Sequence, residues 1–149
     1  MKRELMREVW KHGADILRSP NMLAERGWMQ HGSVSVYQHS VRVAFFSLLL
    51  VKILKLSVDR RALVRGALLH DYFLYDWHEK DDSHKWHGFH HAKRAKENAE
   101  RDFNIDEVEG DIIEKHMFPL NKGIPKFKES RIVCIADKIT ATGETIFRK

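Results

Sequence analysis

Ten histidines in a chain of 149 residues are the first chemical clue, because imidazole is the commonest metal ligand and titrates near neutrality. Five of them (His78, His84, His87, His90, His91) fall between residues 78 and 91. More telling are ligand-type residues set in apolar surroundings. His70-Asp71 stands where the run Ala62-Leu63-Val64…Ala67-Leu68-Leu69 stops. Adjacent helical side chains point about 100° apart, but at a helix end the second residue can turn back, so both can reach one cation. His39 interrupts the stripe Val36…Val43-Ala44…Leu50. Asp137 follows Ile132-Val133-Cys134-Ile135-Ala136, where a buried carboxylate wants Arg, Lys or a metal. His116 follows Ile112 and Ile113 on the inner side of an amphipathic segment. A lone core histidine is ordinarily satisfied by a carbonyl or hydroxyl. Four apolar faces that each present such a group make a site. Carboxylates with several imidazoles suit Zn²⁺, Mn²⁺, Fe²⁺ or Co²⁺ more than Ca²⁺ or Cu(I).

The elements that must position these groups are almost all helical. Helical spacing is evident over residues 3–18, ended by Ser19-Pro20, and residues 21–33 read as an irregular or short helical connection. A long helix is predicted from about Val34 to Leu56, with Ser33 or Ser35 as N-cap. Asp59 can cap the next, from Arg60 to about His70. Residues 72–86 are aromatic and charged without a period and predict a long loop. Helix resumes near residue 90 and runs to about Asp102, and another opens at Ile105-Asp106 and runs to about Met117. The prolines and glycine of FPLNKGIPKFK predict loop. The last helix starts at Glu129 or Ser130 and ends at about Thr142. No alternating run bounded by a hairpin turn is present, so the expectation is an all-α bundle of about six helices, one domain over 1–149 with its core at about 34–142.

Composition narrows the class. Hydrophobic residues at 43% and charged residues at 32% describe a globular chain rather than a disordered one. The single Cys134 excludes a disulfide framework, a cysteine zinc finger and an Fe–S cluster. The N-terminal MKRELMREVW lacks the apolar core of a signal peptide. Val43–Val51, the longest apolar stretch, falls short of the roughly 20 residues of a membrane span. The expectation is a cytoplasmic protein with no membrane partner. A net charge of +5 and a pI near 9.4 suggest a mild taste for anions.

His39, His70-Asp71 and Asp137 together resemble the H…HD…D pattern of the HD-domain superfamily of metal-dependent phosphohydrolases. The surrounding sequences YQHSVRVA, GALLHD and RIVCIADKI are similar too, and the resemblance covers about residues 34–142. It implies one metal held by His39, His70, Asp71 and Asp137, or two metals bridged by Asp71 with two further histidines. His116, in DIIEKHMFP, matches the later of these. His91, in HHAKRAKENA, resembles the earlier, with His87 as its competitor. One or two divalent ions (Fe, Mn, Co or Zn, with Mg as a further candidate) are the implied cofactor.

The resemblance also implies attack on phosphorus by metal-activated water, with Asp71 at the centre of the reaction and basic side chains clamping a small phosphorylated substrate, nucleotides included. Arg42, one helical turn beyond His39, and Lys138, next to Asp137, are the leading clamp candidates, followed by Lys122, Lys126 and Arg94. Leu74 stands where many family members carry a lysine, so no phosphate contact is expected from that position. Tyr72, Phe73, Tyr75, Trp77, Trp86 and Phe89 either stack on a base or staple a loop, and the second is favoured. Two other functions share these features: a di-iron oxygenase using the same six ligands, and a basic module contacting nucleic acid. The latter is the less expected, for want of a helix-turn-helix or RNP-type motif. A homodimer is compatible with the sequence.

Overall fold

Polar caps set the helix boundaries. The computed structural model describes residues 1–31, 33–74, 87–120 and 123–146. Helix α1 (Lys2–Leu17) gives way at Ser19, whose hydroxyl accepts from Met22 N, and Pro20 occupies the first position of α2 (Pro20–Ala24). A 3₁₀ turn (Glu25–Gly27) leads into strand β1 (Met29–His31), which pairs antiparallel with β2 (Val34–Ser35). Ser35 then caps α3 (Val36–Leu54) in a reciprocal box: its hydroxyl accepts from Gln38 N, and the Gln38 side chain accepts from Ser35 N. Asp59 caps α4 (Arg60–Leu69). Helix α5 spans His87–Asp102, and Asp106 forms a second box with Glu109 at the start of α6 (Glu107–Lys115). Helix α7 spans Lys128–Ile146.

The described elements form an all-α bundle apart from the short β1–β2 ladder. Helix α3 packs on α1, α4 and α7, while α6 packs on α4, α5 and α7. Leu5, Val9 and Ile16 of α1 meet Val43 and Leu48 of α3, Leu63 and Leu68 of α4, Ile112 of α6 and Val133 of α7 in one apolar core. Between α4 and α6 the approach is unusually close. A Cβ at Gly66 would lie 2.5 Å from Ile112 Cδ1 and 2.8 Å from Ile112 Cβ, so no larger residue fits there without displacement. Gly66 lies one turn before His70 and Ile112 one turn before His116. This contact therefore sets the spacing of two candidate ligands.

Several expectations need correction. Residues 29–35 contain a ladder that no alternating pattern announced, because strands of two and three residues are too short to show a period. Helix α5 begins at His87 rather than near 90. Helix α7 continues past Thr142 through Gly143 to Ile146, one turn beyond the predicted end. Finally, α3 as a whole is long and apolar enough to cross a membrane by length and composition, which the shorter run Val43–Val51 did not suggest. Half of it is buried inside the bundle, including His39, Ser40 and Ser47, as suits a core helix.

Candidate metal centre

His70 caps the C-terminal end of α4, and the chain bends sharply after it. Tyr72 N donates to Leu69 O, and Phe73 N donates to Asp71 O at 2.8 Å. The bend swings the Asp71 carboxylate back toward the His70 ring, as two adjacent residues of one helix would not do. It is pinned from outside. Asn98 of α5 donates to the carbonyls of Tyr72 and Phe73, and the Tyr72 hydroxyl donates to Asp102. Tyr72 and Phe73 are buried, so these two aromatics staple the turn. Leu74 follows in the left-handed region at φ 61°, half-buried against the core. Tyr75, Trp77 and Trp86 lie outside the described residues, as does the side chain of Phe89.

Five helices or helix ends deliver six ligand-type side chains around this turn. His39 comes from α3, His70 and Asp71 from the end of α4, His91 from α5, His116 from the end of α6 and Asp137 from α7. They fall into two groups that share Asp71: His39, His70, Asp71 and Asp137 in the first, Asp71, His91 and His116 in the second. Within each group the ligand atoms lie within 4.8 Å of one another. In the first, Asp137 Oδ1 is 2.8 Å from His39 Nε2 and 3.3 Å from His70 Nε2, while Asp71 Oδ2 is 3.1 Å from His70 Nε2. In the second, Asp71 Oδ1 is 3.1 Å from His91 Nε2 and 3.4 Å from His116 Nε2. The two oxygens of Asp71 thus face different groups. His87 competed with His91 for this position; its side chain lies outside the described residues.

The ring orientations test whether a cation fits. His70 Nδ1 donates to Ala67 O at 2.6 Å and His116 Nδ1 donates to Ile113 O at 2.7 Å. In the neutral rings this leaves both Nε2 atoms as lone pairs directed into the cluster. His70 Nε2 is buried beside two carboxylate oxygens yet makes no hydrogen bond among the described residues. His116 Nε2 lies 2.9 Å from His91 Nε2. Lone pairs gathered this closely repel unless a positive centre sits among them. Imidazole nitrogen with carboxylate oxygen is a donor set for Zn²⁺, Mn²⁺, Fe²⁺ or Co²⁺. The residues fit a divalent ion.

Protons fill that role when no metal does. Burial alone would favour neutral His39, but hydrogen bonds to Asp137 and Glu144 outweigh it and raise its pKa to about 9. Burial likewise opposes charge on His70, yet the carboxylates of Asp71 and Asp137 push it well above the ordinary value. Asp71 and Asp137 stay well below the usual carboxylate range against their burial, held there by His70 and the other imidazoles. His116 moves the other way, depressed first by burial and further by the charges of His70 and His91.

The expected clamp residues are placed differently. Arg42 Nη1 donates to Glu144 Oε2 at 3.1 Å. Lys138 Nζ lies 3.3 Å from the His116 carbonyl oxygen and 3.0 Å from Cys134 Sγ, close to the centre. Lys126 is paired with Glu107 on the surface, Arg94 is exposed on α5, and Lys122 lies outside the described residues. Three further residues escaped the sequence reading. Glu144 accepts from His39 Nδ1 at 2.5 Å; its spacing of two helical turns from Asp137 could have revealed it had α7 been read to its true end. Gln30 Nε2 donates to Asp71 Oδ2 at 3.0 Å from β1, an unpredicted strand. Glu25 is fully buried, with neither carboxyl oxygen hydrogen-bonded among the described residues. Burial, reinforced by the charge of Asp71, pushes its pKa well up.

Neither a curated protein nor a solved structure matches the chain. The family model described as the HD domain matches residues 36–142, a stretch that runs from the first turn of α3 to within two residues of Glu144 and encloses all six clustered side chains. With that span and the helical bundle that carries it, the chain belongs to the HD domain family.

Proposed function

We propose that the protein is a cytoplasmic metal-dependent phosphohydrolase in which His39, His70, Asp71 and Asp137 hold one divalent ion and Asp71, His91 and His116 a second. The substrate is a small phosphorylated molecule, with nucleotides as the first class to test. The observation that supports this most is the attitude of Asp71, whose Oδ2 faces His39, His70 and Gln30 while Oδ1 faces His91 and His116. Family membership supports the reaction class.

Divalent ions at such a centre lower the pKa of bound water toward 7 and neutralise phosphoryl charge. The chain's own residues prepare the place. Ala67 and Ile113 carbonyls fix two imidazoles with Nε2 inward, and Gln30 holds one oxygen of Asp71. Lys138, beside the His116 carbonyl, contributes positive charge for the phosphoryl oxygens. The free, buried Cys134 suits a reducing compartment.

Elemental analysis of the purified protein, followed by phosphate-release assays on nucleotides and sugar phosphates, tests the reading. Bound divalent metal and phosphate release that Asp71→Ala abolishes are expected. Protein that takes up no metal refutes it. Iron-loaded protein that consumes O₂ with a substrate and releases no phosphate would replace it with the oxygenase reading.

A further inference from the structure

We propose that Glu144 is a positioning residue for His39, and that Arg42 serves Glu144 rather than the substrate. This rests on the metal reading above. Helix α7 presents two carboxylates seven residues apart, which is two turns and nearly the same face. They bracket a single ring. Asp137 Oδ1 lies 2.8 Å from His39 Nε2, and Glu144 Oε1 lies 2.5 Å from His39 Nδ1.

A histidine that ligates through one nitrogen must donate its other N–H, and the acceptor fixes both tautomer and ring orientation. For His70 and His116 that acceptor is a backbone carbonyl, which is neutral and comes with the fold. His39 lies in the first turn of α3, where each backbone carbonyl already accepts from the N–H one turn further on. It needs an acceptor from another element, and Glu144 is that acceptor. A carboxylate also strengthens the ligating nitrogen more than a carbonyl does.

The arrangement creates a second requirement. The Glu144 side chain is only 3% exposed, so its charge needs a partner close by. Arg42 meets that need: it lies three residues after His39 on α3, 48% exposed, with Nη1 on the other Glu144 oxygen at 3.1 Å. A guanidinium committed in this way supports the metal centre from behind. It is not the phosphate clamp that its position beside His39 suggests.

The test is zinc affinity, measured by competition with a chelator, together with the ¹⁵N shifts of His39 in zinc-loaded protein. Glu144→Ala should weaken zinc binding by about 10- to 100-fold, and Glu144→Gln, which keeps an acceptor oxygen, should recover part of the loss. Arg42→Ala should weaken zinc binding by a smaller factor than Glu144→Ala and leave the binding of inorganic phosphate to zinc-loaded protein unchanged. In wild type the His39 Nδ1 shift should report a protonated, strongly hydrogen-bonded nitrogen. If Glu144→Ala does not fold, Glu144→Gln carries the test: weakened zinc binding with an unaltered melting temperature of the metal-free protein supports the assignment. Wild-type affinity in the Glu144 variants overturns it. So does an Arg42→Ala protein with full zinc affinity and impaired phosphate binding, which would return Arg42 to the substrate. Wild-type protein that binds no zinc removes the metal reading as well, an outcome separate from any result on the variants.

Discussion

The two groups that share Asp71 are built to different standards. The first has two carboxylates and two imidazoles, and three of its four members are braced: His39 by Glu144, His70 by Ala67 O and Asp71 by Gln30. The second has two imidazoles and a share of one carboxylate, with the Ile113 carbonyl bracing His116. Coulomb attraction for a divalent ion grows with the number of nearby anions. The first group should therefore hold its ion more tightly, and the second should be the exchangeable one. On the proposed reading, one carboxylate would then link two sites of unequal strength.

Asp71→Ala should have the largest effect, because it removes an anion from both groups at once; elemental analysis should find both ions lost. Retention of either one would show that Asp71 is not shared. Asp137→Ala and His116→Ala should then separate the groups. The first variant should lose the tight ion. The second should keep one ion per chain while weakening the other by more than about 100-fold, beyond what outer partners usually cost. Chelator titration distinguishes these, and equal losses from the two variants would erase the inequality.

Acidity sharpens the same comparison. In metal-free protein the folded pKa of His39, about 9, exceeds its ordinary 6.5. Its contribution to stability is thus complete below about 6.5 and is lost as the pH rises through about 9. Asp71 and Asp137 are depressed in the fold, so their contribution is present above the ordinary 3.8 and is lost on acidification. Metal binding needs the imidazoles neutral and follows the opposite trend to His39. Calorimetry should therefore show that zinc raises the melting temperature more at about pH 9 than at about pH 6. A stabilisation that shrinks with rising pH would contradict the protonation scheme.

The smallest effect expected is on global stability. Gly66→Ala should cost about 1–3 kcal/mol by overpacking against Ile112, read out by denaturant unfolding of the metal-free protein. Because Gly66 and Ile112 each precede a clustered histidine by one turn, the variant should also part His70, in the first group, from His116, in the second. An unfolding midpoint equal to wild type would mean that α4 and α6 can separate freely.

The apolar periods of α3, α4 and α7 and the capping residues Ser35 and Asp59 were readable because helix start signals and amphipathic spacing are local. The same locality exposed His39, His70-Asp71, His116 and Asp137, each a polar group on a stripe that should have been apolar. Glu144 was hidden because Gly143 resembles a helix end; the packing of α7 on α3 carries the helix through it. Gln30 was hidden because its strand is three residues long and owes its place to pairing with β2.

What the sequence determined by itself was the inventory: which helices form, and which of them carry an imidazole or carboxylate on the buried face. Tertiary structure alone decided how those groups are used. Only the packed bundle turns Asp71 toward two groups at once, lets α4 and α6 approach at Gly66 until two histidines converge, and sets Glu144 behind His39. The reason is physical. Helix formation and amphipathicity depend on neighbours within a turn or two, whereas coordination depends on distances of a few ångströms between residues up to about a hundred positions apart, which only the closed core fixes.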